Sequence, residues 1–224
     1  MGLAACSQGE APADKPVALD SETSKLGYAM GMDVGASLGR MGANVDADAF
    51  VEAFRASLAK GEMRMNSEEA AEVTQTFFQK KQQEKQAKAA ASGAANKSAG
   101  VEFLAANKQK DGITTTPSGL QYELLRSSGG ARPVITDTVK VHYRGTLIDG
   151  TEFDSSYARD KPATFPLKGV IPGWTEGLQL MSVGSKYRLF VPSELAYGES
   201  GAGAKIGPNA ALIFEVELLE IVKK

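Results

Sequence analysis

The chain has 224 residues, of which 42% are hydrophobic and 23% charged, and its formal net charge is −2. This is the composition of an ordinary globular protein, and the charge balance gives no reason to bind nucleic acid or an anionic membrane surface. One His and one Cys argue against a Cys/His metal cage, a Cys–His nucleophile pair and an internal disulfide, so we expect an activity that needs no metal, cofactor or covalent nucleophile.

The N-terminal segment combines a lipoprotein-like motif with a polar tether. Leu3-Ala4-Ala5-Cys6 resembles the bacterial lipobox, in which the Cys becomes a lipidated N-terminus. Residues 7–20 are polar, include two prolines and have no apolar periodicity, which favours a flexible tether. A signal peptide has an apolar run of about 7–15 residues, which is longer than the segment before Cys6. Either preceding residues are absent from this sequence, or Cys6 is a free thiol in a polar tail.

The first predicted helix carries an apolar face and a stripe of glycines. From Leu26 to Met41, apolar residues recur at spacings of four, four, four and three, which indicates an amphipathic helix that Gly42 ends. Glycines also recur every four residues along this helix, at Gly27, Gly31, Gly35 and Gly39. Because each glycine costs up to about 1 kcal/mol in a helix interior, the stripe favours close packing of a helix from a second subunit. Packing inside the chain is the alternative.

Methionines are concentrated in the same part of the chain. Five of the seven lie there, at Met30, Met32, Met41, Met63 and Met65. Methionine is flexible and suits an adaptable apolar surface, so these residues indicate either a surface that binds unfolded clients or ordinary core filling.

Two further helices follow, each with a capping signal. Asp46 is the expected N-cap of the second helix, and Gly61 is expected to close it. Its apolar face consists of Phe50, Phe54 and Leu58. Asn66 with Glu69 resembles a capping box that opens a third helix.

The continuation of the third helix is ambiguous. Residues 79–100 contain no large apolar side chain, and their Ala, Lys, Gln and Glu favour helix, whereas Gly93 and Gly100 oppose it. The segment is therefore either a solvated helical arm or a disordered linker. A helix from Ser67 to Lys110 would extend about 66 Å.

The second half of the chain changes period. Alternating apolar and β-branched residues predict four strands, in the segments LQYELL, TVKVHYRGTL, KYRLFVP and ALIFEVELLEIV. Asp149-Gly150 is a hairpin turn signal, and WTEGLQLM, residues 174–181, is the one short helical segment. We therefore expect an α+β chain with an all-helical N-terminal module, a connecting arm or linker and a C-terminal antiparallel sheet wrapped around a short helix.

Aromatic residues stand in a fixed order among these strands. They occur in the motifs VHYRG, TEFDSS, VIPGW, LAYGE and LIFEV. Together with VIPGWTEGLQLMSVGSK and PNAALIFEVELLEI, these motifs resemble the FKBP-type peptidyl-prolyl cis–trans isomerases over roughly residues 117–224. The helical first half resembles the macrophage-infectivity-potentiator-like bacterial subgroup, in which N-terminal helices form a dimer.

This resemblance implies site roles for individual residues. The residues implied as catalytic are Asp154, Tyr197, Tyr143 and Phe153. The residues implied to bind substrate are Trp174 as the pocket floor, Val170, Ile171, Phe214, Ile206, Arg159 and Phe165. Ala163 stands where the family often has an aromatic residue, and Ala202 where some members have a His, so we expect both to alter the pocket rim and the substrate or inhibitor preference.

The resemblance also implies a domain organisation and partners. We expect a lipobox-like segment and tether in 1–20, a helical dimerisation domain in 21–66, a connecting helix in 67–115 and an isomerase domain in 116–224. The implied partners are proline-containing polypeptide clients, a second copy of the chain bound through residues 21–66, and inhibitors of the FK506/rapamycin type. The implied location is the periplasm of a Gram-negative bacterium, with a membrane contact only through a lipid anchor on Cys6. The alternative is mainly a chaperone or binding module with secondary isomerase activity.

Overall fold

A computed structural model describes residues 16–222 of the chain. Cys6 and most of the tether lie outside the described residues. The chain divides into two compact units between Val73 and Thr74. No helix within residues 16–222 is both long enough and apolar enough to cross a membrane.

Helix α1, Glu22–Arg40, has a side-chain cap at its start and ends where its sequence predicts. The Ser21 and Ser24 side chains accept reciprocally from each other's backbone N–H, at 3.0 and 3.1 Å, in a capping box. At the other end Gly42 takes a positive φ of 60°, which glycine adopts at no steric cost. The expected stop at Gly42 is therefore confirmed.

Helix α2, Ala47–Leu58, confirms the predicted N-cap and corrects the predicted C-terminus. The Asp46 carboxylate accepts from the Ala49 N–H at 2.9 Å. The helix ends at Leu58, and Lys60 rather than Gly61 takes the left-handed conformation, with φ 51°. Gly61 follows Lys60 and helps to cap the helix, because its N–H donates to the Ala56 carbonyl at 2.9 Å and so satisfies a free acceptor at the helix end.

Helix α3 is continuous over Ser67–Asn107, which decides between the two alternatives for residues 79–100 in favour of helix. The predicted capping box is confirmed, since Asn66 N–H donates to Glu69 and Glu69 N–H to Asn66, both at 2.9 Å. The expected extent of 67–115 is wrong at its C-terminal end. The helix ends at Asn107, and residues 113–115 instead form a strand that pairs with residues 121–123.

The rest of the second unit is an antiparallel sheet with one short helix, as predicted. The strands are β1 Ile113–Thr115, β2 Gln121–Arg126, β3 Thr138–Leu147, β4 Glu152–Ser155, β5 Ala163–Pro166, β6 Lys186–Val191 and β7 Leu212–Val222. Their order is β1-β2-β6-β7-β3-β4, with β5 paired to β3. The expected hairpin turn joins β3 to β4, where Gly150 has φ 88°.

Helix α4, Pro172–Leu180, lies close against β6 because two of its residues are glycines. A Cβ on Gly173 would come within 2.4 Å of Val191, and one on Gly177 within 2.7 Å of Leu189. This approach buries the helix face that carries Trp174, which is 4% exposed. The glycines of α4 therefore set the depth at which the single Trp enters the core.

Candidate functional site

The residues that the motifs single out come together around one cavity of about 590 Å³. Those that line it are Tyr143, Phe153, Asp154, Phe165, Val170, Ile171, Trp174, Tyr197, Ile206 and Phe214. They come from strands β3, β4, β5 and β7, from the start of α4 and from the loop between β6 and β7. Arg159 does not line the cavity but contacts two residues that do.

Trp174 forms the centre of a cluster of perpendicular aromatic rings. Its ring centroid lies 5.2 Å from that of Tyr143, 5.2 Å from Phe214 and 5.6 Å from Phe165, with interplanar angles of 79–88°. Edge-to-face contacts of this kind stabilise an aromatic cluster beyond its buried area. The indole is thereby held in one orientation, as a rigid apolar surface.

A glycine on β3 makes room for the two remaining aromatic walls. Phe153 and Phe214 lie edge to face, with centroids 5.5 Å apart. A Cβ on Gly145 would come within 2.6 Å of the Phe153 ring and 2.9 Å of the Phe214 ring. Any other residue at position 145 would therefore push these rings into the cavity or out of the core.

A polar cluster of Tyr143, Asp154 and Arg159 lies at the edge of the cavity. The Tyr143 hydroxyl and an Arg159 N–H each donate to one Asp154 oxygen, and a second Arg159 N–H donates to the Tyr143 hydroxyl at 2.9 Å. Burial acts to raise the pKa of Asp154, but these hydrogen bonds and the Arg159 charge outweigh it, so this pKa is lowered. Burial and the bond to Asp154 raise the pKa of Tyr143. At neutral pH the edge therefore holds a carboxylate beside a neutral phenol.

Besides the buried Trp174 indole Nε1–H, which also has no hydrogen-bond partner, two hydrogen-bond donors of the site have no acceptor within residues 16–222. One is the Tyr197 hydroxyl, on a side chain that is 40% exposed. The other is the Ile171 N–H, next to Pro172 at the start of α4. Both belong to residues that line the cavity, so a bound carbonyl oxygen can accept from either.

Motif comparison misses part of the loop that closes the cavity. Gly203, Ala204 and Lys205 also line it, but a loop has no periodicity that would mark them. Ala202 lines it as well, and so can affect the rim as expected. Ala163 instead packs against the core and is not among the lining residues, so its placement gives no support to the expected effect on the rim.

A second cavity, of about 450 Å³, lies on the other face of the sheet. Its lining residue Glu215 alternates along β7 with Phe214, which faces the aromatic cavity. Its Arg188 is paired with Glu123 at 2.9 Å and with Glu215 at 2.6 Å. Ligand sites combine an apolar surface with a few available polar groups, so we take the aromatic cavity as the candidate site.

Comparisons with known proteins cover both halves of the chain. The profile of the family "FKBP-type peptidyl-prolyl cis-trans isomerase" matches residues 129–219, and that of the "domain amino terminal to FKBP-type peptidyl-prolyl isomerase" matches residues 23–124. The chain is 48% identical over 204 residues to the probable FKBP-type peptidyl-prolyl cis-trans isomerase FkpA of Neisseria meningitidis serogroup B, covering 90% of this chain and 75% of that protein. It is 41% identical over 209 residues to the outer membrane protein MIP of Legionella longbeachae, covering 92% and 88%. The crystal structure of FkpA from Escherichia coli matches with a TM-score of 0.67 at 36% identity, covering 91% of this chain and 98% of that one.

Proposed function

The chain belongs to the FKBP-type peptidyl-prolyl cis–trans isomerases and is an enzyme of that class, and we propose that the cavity around Trp174 is where it rotates X–Pro bonds. We further propose that its substrates are unfolded or partly folded proteins of the bacterial envelope. The observation that carries the first proposal is the ring geometry. A buried indole framed by perpendicular rings gives a flat surface on which a proline ring can pack.

The chemistry of the reaction suits an apolar cavity. The X–Pro bond resists rotation because resonance makes the amide planar and polar, with a barrier of about 18–20 kcal/mol. Conjugation is lost in the twisted transition state, so the carbonyl oxygen carries less negative charge than in the planar ground state. An aromatic cavity therefore disfavours the planar state more than the twisted one.

The polar groups at the edge position the substrate. A proline ring packed on Trp174 brings the preceding carbonyl within reach of the Tyr197 hydroxyl or the Ile171 N–H. The Asp154 carboxylate, which is paired with Arg159, accepts from the Tyr143 hydroxyl and so fixes the orientation of this ring. Rotation needs no proton transfer and no nucleophile.

Catalysis of a proline-limited refolding reaction by the full chain tests this assignment. We expect acceleration over the uncatalysed phase of about 10–100 s, and a reduced effect with Asp154→Ala and with Tyr197→Phe. Tyr157→Phe is the matched control, because Tyr157 stacks on His142 and does not line the cavity. No acceleration by the full chain would refute the assignment. Competition by FK506 or rapamycin would locate the activity in the same cavity.

We also propose that the helical unit forms a homodimer. Helices α1 and α2 have no buried residue, and Leu26 and Leu58 are 62% and 71% exposed. A Cβ on any of the four stripe glycines would meet nothing within 4 Å, which argues against the alternative of packing inside the chain. Leaving this apolar surface in water costs about 25 cal/mol per Å², so a second copy is the partner that the surface suits best.

The glycine stripe offers a direct test of the homodimer. Gly31→Leu with Gly35→Leu should give a monomer by light scattering, because two large side chains would separate the helices. Asp33→Leu is the matched control, since it adds the same side chain about 200° around the helix from either glycine. A double variant that stays dimeric would contradict the proposal.

The exposed methionines favour an additional chaperone function, in which the helical unit binds unfolded clients. Met30, Met32, Met63 and Met65 are 45–63% exposed, and flexible thioether side chains adapt to varied apolar partners. The alternative is that the protein is mainly a chaperone with secondary isomerase activity. If the helical unit holds clients, suppression of client aggregation should survive Asp154→Ala and fail in the monomeric double variant. Loss of this suppression in Asp154→Ala would assign client binding to the cavity instead.

Attachment to the outer membrane through Cys6 completes the proposal. It is supported by the match of residues 3–6 to a lipobox and by the polar residues that follow. Mass spectrometry of the natively expressed protein tests it. A diacylglyceryl-modified Cys6 is the expected result, and an unmodified thiol would contradict it.

A further inference from the structure

The C-terminal half of α3 lies directly against the segment that precedes β7. Gly93 and Gly100 are both buried and lie seven residues apart, on the same side of the helix. A Cβ on Gly93 would come within 3.1 Å of the Pro208 Cβ, and one on Gly100 within 3.1 Å of the Ala211 Cβ. The two glycines therefore allow an approach that a larger residue would prevent.

Polar contacts fix the register of this packing. Between the two glycines, the Asn96 side-chain amide donates to the Pro208 carbonyl at 2.8 Å. In the opposite direction, the Asn209 side-chain amide donates to the Gly93 carbonyl at 3.4 Å. The helix thus holds Pro208-Asn209 by packing and by hydrogen bonds together.

The held segment is joined to the loop that closes the aromatic cavity. The Asn209 N–H donates to the Gly198 carbonyl at 2.8 Å, and Gly198 directly follows Tyr197. On the other side, Ile206 and Ala202 exchange backbone hydrogen bonds at 2.8 and 3.2 Å, and both line the cavity. Pro208-Asn209 therefore lies between α3 and the base of the loop 197–206.

This loop is rich in glycine. Gly198, Gly201 and Gly203 have φ values of 53–62°, and glycine loses more conformational freedom on ordering than any other residue. A loop of this composition needs support from outside if it is to present residues 202–206 to a ligand in one conformation.

We propose that α3 is a positioning element of the isomerase site, in which Gly93, Asn96 and Gly100 hold residues 207–211 and so fix the cavity wall formed by residues 202–206. The inference rests on the proposed function of the aromatic cavity. It adds that the affinity for the residues flanking the substrate proline depends on a helix that does not line the cavity. A loosened wall must be ordered when substrate binds, so KM rises, whereas kcat, which depends on the rings around Trp174 and on carbonyl donors outside residues 202–206, is retained.

Asn96→Asp is the sharpest variant, because it keeps the shape of the side chain and replaces the N–H donor with an oxygen facing the Pro208 carbonyl. One hydrogen bond corresponds to about a 2- to 10-fold change in an equilibrium. In the full chain, we expect KM for a proline-containing peptide to rise by that factor with kcat within twofold of wild type. Lys97→Ala is the matched control on the exposed side of the same turn.

Gly93→Leu is the second variant, and it tests the packing rather than the hydrogen bond. The side chain would displace Pro208, so we expect the same rise in KM, whereas Ala94→Leu on an exposed position should leave KM unchanged. If either variant alters the near-ultraviolet signal of Trp174, the comparison rests on the one that keeps the native signal. Unchanged KM, or a fall in kcat at constant KM, would overturn the inference.

Amide hydrogen exchange gives a readout that does not depend on activity. In Asn96→Asp, amides of residues 198–206 should exchange about 2- to 10-fold faster than in wild type, with the strands unchanged. If the wild-type chain has no isomerase activity, the proposed function is refuted, but the role of α3 in holding the loop is not. Unchanged exchange in this loop would refute the role of α3, whatever the activity.

Discussion

The two units of the chain use apolar residues in opposite ways. In the sheet unit, from Thr74 onward, a contiguous core includes Val139, Leu189 and Val216, which are fully buried. In the helical unit, up to Val73, α1 and α2 bury no residue, although their apolar faces are as regular as their sequences predict. A regular amphipathic pattern therefore identifies the surface to be buried but not the molecule that buries it.

This difference separates two sources of stability. The core of the sheet unit is intramolecular, so its free energy of unfolding is expected to be independent of protein concentration. A helical unit whose apolar face is covered by a second copy gains stability by mass action, so its unfolding midpoint should rise with concentration. Variants in the two units should therefore respond differently to dilution.

Truncation of a leucine in each unit should give the largest contrast. Leu189→Ala removes a fully buried side chain and should lower the free energy of unfolding of the sheet unit by about 2–5 kcal/mol. Leu26→Ala, at a position that is 62% exposed, should leave that unit unchanged. Urea unfolding followed by Trp174 fluorescence measures this, because Trp174 is the only Trp. Equal effects of the two variants would contradict the comparison.

Glycine-to-alanine substitutions should give the next largest effect, with a sign that depends on the unit. Gly145→Ala should destabilise the sheet unit by about 1–3 kcal/mol, because the added methyl group overlaps the Phe153 ring. Gly27→Ala should raise helix stability by up to about 1 kcal/mol at low protein concentration. At high concentration it should weaken association, as measured by analytical ultracentrifugation. Stabilisation at every concentration would mean that no helix packs on the stripe.

The capping box of α3 should have a smaller effect, limited to one unit. Asn66→Ala removes the acceptor of the Glu68 and Glu69 N–H groups and should cost about 1 kcal/mol. We expect the circular dichroism transition of the helices to fall while the Trp174 transition stays unchanged. Ser98→Ala, in the body of the same helix, is the control. A matching shift of the Trp174 transition would show that the two units unfold together.

The smallest expected effect is a pH dependence confined to the site. The pKa of Asp154 is lowered in the folded state, so its ionisation supports the fold above the ordinary aspartate pKa of about 3.9, and this support is lost as pH falls through the lower folded value. In the folded protein Asp154 also stays ionised throughout the neutral range, so kcat/KM should be flat from about pH 5 to 8 and should decline only below about pH 4. Asp154→Asn should abolish that decline. A fall between pH 5 and 7 would assign the titration to another group.

Much of the fold can be predicted from the sequence because it depends on local signals. The side-chain caps at Asp46 and Asn66 and the turn at Gly150 each follow from one or two residues. The four long strands follow from alternation. The short strands β1 and β5 do not, since three or four residues are too few to show a period and their place depends on pairing with other strands.

The candidate site also has one part that the sequence predicts and one part that it does not. Its aromatic residues are identified by motifs that resemble a known family, and the structure brings them together around Trp174. The surface of α3 formed by Gly93, Asn96 and Gly100 gave no such signal. Small and polar residues create no apolar periodicity, so their close contact with Pro208 and Ala211 becomes visible only in three dimensions.

The central claim, that X–Pro bonds rotate in the cavity whose base is Trp174, can be tested most directly by nuclear magnetic resonance on the full chain and a proline-containing peptide. Exchange spectroscopy reports the interconversion of the cis and trans peptide, and the single indole N–H resonance reports occupancy of the cavity. The account predicts that catalytic amounts of protein produce cis–trans exchange peaks and that peptide shifts the Trp174 resonance over the same concentration range. Exchange without any shift of that resonance, or no exchange at all, would contradict it.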